Sequence, residues 1–298
     1  IYKYLSCQLS VVGCQQDVLP DTLNLSYKKL QDLRYGENPH QSAFWVGRWN
    51  HDWKILQGKE LYYNNLLDAD AALRLVSDFN DAAVAIIKHN SPCGVAAGAK
   101  TIDELFKSAF EADSKSAFGG IVAVRGSVDA KTAQAMSPIF LEVIIAKSFS
   151  EEAKQILSQK KNLRLIEWPE PKFGEYEVRK SLDGWLVQTS DTVITKDALK
   201  TVTKKSPTQT KDLEFAWTVV KHARSNAIVI AKDLTTLSIG AGQVSRVDAV
   251  EIALEKAHGK TTGAVLASDA FFPFRDNIDL LKQSGIADVA YFGPEAEF

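Results

Sequence analysis

The sequence predicts a layered α/β protein, with helices packed on a largely buried sheet. Short, wholly apolar runs recur at residues 83–87, 121–124, 141–146, 227–231 and 264–267, with the length and composition of strands buried on both faces. Segments with helical spacing or helix-start patterns alternate with them, as in layered α/β folds. The chain has 298 residues, 45% apolar and 24% charged, enough for a sizeable core.

In order along the chain, residues 1–27 are weakly periodic and begin without Met. They read as the cut edge of a longer protein and a connector from an upstream domain. Leu67, Ala71, Leu75 and Phe79 recur every fourth residue, which predicts an amphipathic helix over 66–79. The apolar run 83–87 then delivers Lys88 and His89 to a strand end. Thr101-Ile102-Asp103-Glu104 is a capping-box pattern opening a helix toward Asp113. Strands are expected at 121–124 and 141–146 and a helix at 151–161. Trp168-Pro169-Glu170-Pro171 breaks regular structure, so 164–206 reads as loops and extended pieces, with a subdomain boundary near 190–205. A helix at 212–223 and a strand at 227–231 follow, and Ser238-Ile239 begins the strand's hairpin partner. Ser245-x-x-Asp248 opens a helix to His258, and 264–267 is again a strand. The second half repeats the strand-and-helix grammar of the first.

The formal net charge is −2, so nothing global points to nucleic acid or an acidic membrane surface. An anionic substrate must be held by local groups. The three cysteines, Cys7, Cys14 and Cys93, are too few and irregular for a disulfide framework and fit a reducing cytoplasm. No run approaches the roughly 18 apolar residues of a membrane span, and the start lacks a signal-peptide pattern.

Five segments carry possible chemistry. In 86–94, IIKHNSPCG, an apolar strand ends in an ammonium, an imidazole and an amide. Strand ends are common reaction sites, histidine exchanges protons near neutral pH, and an ammonium steadies developing negative charge. A solvated polar strand end fits the same pattern. Pro92-Cys93 resembles half of a zinc deaminase signature, but Ala96 stands where its second cysteine belongs and no H-x-E precedes it. In 33–41, LRYGENPHQ, Arg34 can fork onto a phosphate or carboxylate; a polar surface loop is the plainer reading. Ser116-Ala117-Phe118-Gly119-Gly120 permits close backbone approach to a ligand, or simply a turn. IGAGQVSR, 239–246, leads a glycine turn into a helix start, but it is neither a dinucleotide fingerprint nor a P-loop. In 268–276, SDAFFPFRD, three phenylalanines can wall a flat ring or fill a core.

Together and in this order, LRYGENPHQ, KHNSPCG, SAFGGIVA, RSNAIVIAKD, IGAGQVSRVDA and ASDAFFPFRDNID resemble the AICAR transformylase region of bifunctional purine biosynthesis proteins. The resemblance runs from about residue 21 to 288. It implies formyl transfer from 10-formyltetrahydrofolate, a cosubstrate, to the 5-amino group of AICAR, giving FAICAR. It also implies two cytidine-deaminase-like α/β/α subdomains, 28–196 and 197–298, without zinc. A homodimer would share its active sites. An upstream cyclohydrolase domain would close FAICAR to IMP, with 1–27 as its tail. The resemblance leaves open a bound monovalent cation. By motif it assigns His89 as proton acceptor, Lys88 as transition-state stabiliser and Asn226 as a further donor. Arg34 and Tyr35 match nucleotide-binding positions near the phosphate; Gly119, Glu142, Asn226, Arg246 and Phe271 match AICAR contacts; Val247 and Asp276 match folate contacts. Relatives can carry aspartate at the place of Glu142. After Ala287 the run 288–298 departs from the family, which continues to a terminal arginine. Truncation of the chain, or a difference at this end, is expected there. Two rivals remain: a zinc nucleoside deaminase sharing the fold, and a remnant that binds nucleotide or folate without turnover.

Overall fold

The computed structural model describes residues 22, 24–47, 53–191, 201 and 206–291. The chain opens with an antiparallel hairpin, β1 (Lys28–Leu33) and β2 (Ala43–Gly47). β3 (Lys54–Gln57), α1 (Tyr63–Ser77), β4 (Ala83–Lys88), β5 (Ser91–Ala97) and α2 (Ile102–Ala112) follow, then β6 (Gly120–Val128), α3 (Ala130–Met136), β7 (Leu141–Phe149), α4 (Glu151–Ser158) and β8 (Arg164–Glu167). A second free hairpin joins β9 (Tyr176–Ser181) to β10 (Gly184–Thr189). Last come α5 (Thr210–Lys221), β11 (Ile228–Lys232), β12 (Thr235–Gly240), α6 (Arg246–Lys256), β13 (Val265–Ser268), α7 (Asp276–Ser284) and β14 (Asp288–Tyr291). Ten strands form one mixed sheet in the order β14-β13-β11-β12-β5-β4-β6-β7-β8-β3.

That order is a duplication. In the first half β4 pairs antiparallel with β5 and β6, and β7 runs parallel to β6. In the second, β11 pairs antiparallel with β12 and β13, and β14 runs parallel to β13. A helix precedes each unit, and another follows its second strand. The halves meet where β5 lies antiparallel to β12, so order and direction both reverse about that line, as under a twofold axis normal to the sheet. At this seam Thr235 pairs with Ala96. One residue nearer the other end of the strands, the Thr236 hydroxyl accepts from Val95 N–H at 2.9 Å and donates to its carbonyl at 3.2 Å. Lys256 of the second half also reaches Asp113 of the first at 2.9 Å.

Burial follows the strand period of two. Ala83, Ala85 and Ile87 share one core with α1 and α5, together with Val229, Ala231 and Val265. Val84 and Ile86 face the opposite way, into a second core with α2, α3 and α4, and Ile228, Ile230 and Leu266 meet α6 and α7 in a third. Each half also carries a strand glycine pressed on a helix. A Cβ at Gly94 would lie 1.8 Å from the Ala109 carbonyl oxygen, and one at Gly240 2.1 Å from that of Ala249.

The structure redraws several expected bounds. The first helix starts at Tyr63, Lys88 is still within β4, and β12 begins at Thr235, earlier than expected. The segment 164–206 contains β8 and the β9–β10 hairpin as well as loops. Glu104 accepts from the Thr101 backbone N–H at 3.0 Å, as the capping pattern predicts. The Ser245 side chain makes no capping bond to α6. Residues 288–291 form β14. Residues 1–21, with Cys7 and Cys14, lie outside the described residues, as does most of the boundary expected at 190–205.

Candidate active site

The pairings place one set of strand termini along a single edge of the sheet. The ends of β4, β12, β13 and β14 lie there with the starts of β5, β6, β7, β8 and β11. Lys88, His89, Gly119, Glu142, Asn226 and Phe271 sit at or just beyond those termini, and Arg246 bonds to Asn226 and Ser268; Arg34 and Tyr35 follow β1, and Val247 and Asp276 lie in the first turns of α6 and α7.

Lys88 closes β4, and the strand returns at once: Lys88 pairs with Ser91, so His89 and Asn90 form a two-residue hairpin loop. Both have positive φ, 51° and 59°, the signature of a type I′ turn, a conformation that Gly and Asn adopt most readily. The imidazole is thereby held on the exposed tip. Lys88 Nζ donates to the Gly119 carbonyl at 2.9 Å, leaving two ammonium donors. Gly119 has φ 67°, the left-handed region that favours glycine, and a Cβ there would crowd that same Nζ at 3.1 Å and the Phe140 ring at 3.2 Å.

Arg34, Tyr35 and Glu142 belong to a second group. Glu142 Oε2 accepts from Tyr62 Oη at 2.5 Å and Asn65 Nδ2 at 2.9 Å, with Arg164 Nη1 at 3.9 Å. Arg164 is buried and donates to the Lys59 and Glu60 carbonyls. Tyr35 packs on Tyr62 with ring centroids 5.4 Å apart, and the Arg34 guanidinium lies 5.7 Å from the Tyr35 ring. Burial, then the bond to Glu142, pushes the Tyr62 phenol well above its ordinary range, so it stays a donor. Among the described residues the three contacts to Glu142 all fall on Oε2, leaving Oε1 to accept from a ligand.

The second half supplies a third group. Arg246, buried at the start of α6, donates to Asn226 Oδ1 at 2.6 Å, Ser268 Oγ at 2.7 Å and Asp269 Oδ1 at 2.6 Å. Asn226 Nδ2 reaches the Gln243 and Val244 carbonyls at 2.9 and 3.2 Å, so donation to a substrate oxygen means releasing one of them. Asp269 also accepts from Ala227 N–H at 2.7 Å. Burial would raise its carboxyl, but the Ser225 hydroxyl, Arg246 and Ala227 N–H outweigh it and hold it below the ordinary range. Phe271 and Asp276 are exposed beyond β13, Val247 half-buried beside Arg246. Asp276 accepts from its neighbour Asn277.

Sequence reasoning missed Tyr62, Asn65, Asp68, Arg164 and Asp269, which hold the predicted residues. The detectable signal was the spacing of Tyr62, Asn65 and Asp68, three apart along an otherwise apolar helix face. Cys93 is buried, and burial pushes its thiol up to about 12, so it remains protonated. Among the described residues no group of three or more His, Cys, Asp or Glu side chains is arranged to hold a metal. No helix among them is long and apolar enough to cross a membrane. Cavities of about 850 Å³, at the opposite sheet edge, and about 340 Å³, under the β1–β2 hairpin, include none of the predicted residues.

The chain is 50% identical over 279 residues to the bifunctional purine biosynthesis protein PurH of Aquifex aeolicus (strain VF5), covering 89% of this chain and 54% of that protein. It is 47% identical over 297 residues to PurH of Thermoanaerobacter sp. (strain X514), covering 97% and 57% respectively. To PurH of Trichodesmium erythraeum (strain IMS101) it is 50% identical over 276 residues, covering 89% and 53%. It thus spans just over half the length of these relatives. The model of the AICARFT/IMPCHase bienzyme family matches residues 1–256, and the chain belongs to that family.

Proposed function

We propose that the chain transfers the formyl group of 10-formyltetrahydrofolate to the 5-amino group of AICAR, giving FAICAR in the synthesis of IMP. The observation that carries this reading is the gathering of Lys88, His89, Gly119, Glu142, Asn226 and Arg246 on one sheet edge, from both halves of the chain. The AICAR amine is a poor nucleophile because its lone pair is delocalised into the ring and carboxamide. His89 takes its proton as nitrogen attacks the formyl carbon. Lys88 Nζ, with donors to spare, steadies the charge on the formyl oxygen, with Asn226 as a further donor. The carbon–N10 bond of the folate then breaks, and N10 takes a proton. Arg34 and Tyr35 hold the nucleotide near its phosphate; Gly119, Glu142, Arg246 and Phe271 complete its contacts, with the free Oε1 of Glu142 suited to a hydroxyl. Val247 and Asp276 meet the folate.

The same reading makes each half a cytidine-deaminase-like subdomain, 28–196 and 197–298, supported by their shared strand order. It gives the longer protein an IMP cyclohydrolase domain upstream, and places the enzyme in the cytoplasm without zinc. A monovalent cation is compatible with it. A homodimer sharing its active sites is supported by exposed apolar side chains along the site edge, Phe118, Phe140, Val244, Phe271 and Phe274.

The test is an assay of the chain with AICAR and 10-formyltetrahydrofolate, beside His89→Ala. Turnover by the parent, loss of turnover with retained AICAR binding in the variant, is the expected result. A fully active His89→Ala protein sinks the mechanism. Binding without parent turnover means a binding-only protein, and stoichiometric zinc with nucleoside deamination means a deaminase.

A further inference from the structure

The hairpin turn that carries His89 is gripped from behind. Asp68, on the second turn of α1, accepts the Asn90 backbone N–H on Oδ1 at 2.6 Å, and the His89 backbone N–H faces the same carboxylate. Two successive residues in the left-handed region cost roughly 1–2 kcal/mol each, and their N–H groups converge on one side, where a carboxylate fits. Burial raises the Asp68 carboxyl, while those two N–H groups and the His89 and Lys88 charges pull against it. The carboxylate therefore lies within electrostatic reach of both reactive side chains.

The second half repeats the device. Asp212 of α5 accepts the Asp233 and Leu234 N–H groups at 2.9 and 2.8 Å, and those residues form the β11–β12 turn with φ 53° and 54°. Asp68 precedes its turn by 89 − 68 = 21 residues, and Asp212 precedes its own by 233 − 212 = 21. The twofold relation carries the second turn to the opposite edge, away from the site. A carboxylate clamp on a type I′ turn is thus part of the architecture, and in the first half the clamped turn bears the imidazole.

We infer that Asp68 is a positioning residue: by holding the Asn90 N–H of the His89–Asn90 turn, it fixes where the His89 ring meets the substrate amine. Asn65, one turn earlier on α1, and Tyr62, at its N-cap, donate to Glu142, so one end of this helix sets the nucleotide group and the proton acceptor in register. The inference rests on the transformylase reading for what His89 does, and on geometry alone for what Asp68 does.

Asp68→Ala, Asp68→Asn and the parent chain are compared in kcat, KM for AICAR, AICAR binding and amide exchange at residues 89 and 90. In Asp68→Ala, kcat is expected to fall about 10–100-fold, the loss typical of an ångström-scale misplacement, with KM and AICAR binding within about threefold. Asp68→Asn, whose amide oxygen still accepts, should recover most of that loss. The exchange of the Asn90 amide should quicken only in the Ala variant. Parent-like kcat in Asp68→Ala overturns the inference. So does a parallel loss of kcat and AICAR binding that Asn fails to rescue, which marks a merely structural role. If the parent itself shows no turnover, the transformylase reading fails separately. The clamp is then decided by exchange alone: faster in Ala supports it, unchanged overturns it.

Discussion

Arg246→Met removes the centre of the second-half cluster while keeping much of the side chain's volume. The guanidinium is buried and makes three bonds of 2.6–2.7 Å, to Asn226, Ser268 and Asp269. Without it the Asp269 carboxylate stays half-buried with its cation gone, and Asn226 Oδ1 loses its donor. Breaking one partner of a buried ion pair costs about 3–5 kcal/mol, because the remaining charge is uncompensated. A chain of 298 residues unfolds with an entropy of roughly 0.6 kcal/mol/K, so the melting temperature should fall by about 5–8 °C. Urea unfolding followed by tryptophan fluorescence should give the same loss. Adding Asp269→Asn should restore part of it, since the orphaned charge is then gone. A loss under about 1 kcal/mol for Arg246→Met alone would refute the claim that this arginine organises the cluster.

Gly94→Ala and Gly240→Ala should each abolish soluble, folded protein, read by yield and circular dichroism, because the new methyl group would meet a helix carbonyl oxygen at 1.8 or 2.1 Å; a parent-like melting temperature would contradict that packing. Asp103 is held down to about 2, first by the Thr101 hydroxyl and then by Lys131 and Lys107. Its folded value lies below its unfolded value of about 4, so its stabilisation is complete above that pH and drains away as pH falls toward about 2. Urea midpoints of the parent and Asp103→Asn should therefore differ more at pH 6 than at pH 3.

The sequence made the sheet's interior legible. β4, β6, β7, β11 and β13 are buried on both faces, and burial on both faces writes an unbroken apolar run. The free hairpins were not legible, because Lys28–Leu33 and Tyr176–Ser181 are polar and half-exposed. β14 is only four residues long, with a single buried residue, Ala290. At the site, motifs yielded the residues on the loops and strand ends. Asp68, Tyr62 and Arg164 escaped because each works through a neighbour, and a polar residue on a half-buried helix or strand start looks like solvated surface until its partner is known. The twofold relation was visible only as a repeated grammar, since reversal of direction is a property of pairing, not of pattern.

The seam between β5 and β12 has a mechanical meaning. Every other junction in the sheet is riveted by three or more ladder pairs, whereas this one has the Thr235–Ala96 pair, the bond from Ala97 N–H to the Leu234 carbonyl at 3.0 Å and the Thr236 hydroxyl. His89 lies on one side of it and Asn226 on the other, so the angle between the halves sets the distance between them. A rigid molecule grasped from both sides acts as a strut across that line, and one of the wrong length leaves the two banks misaligned.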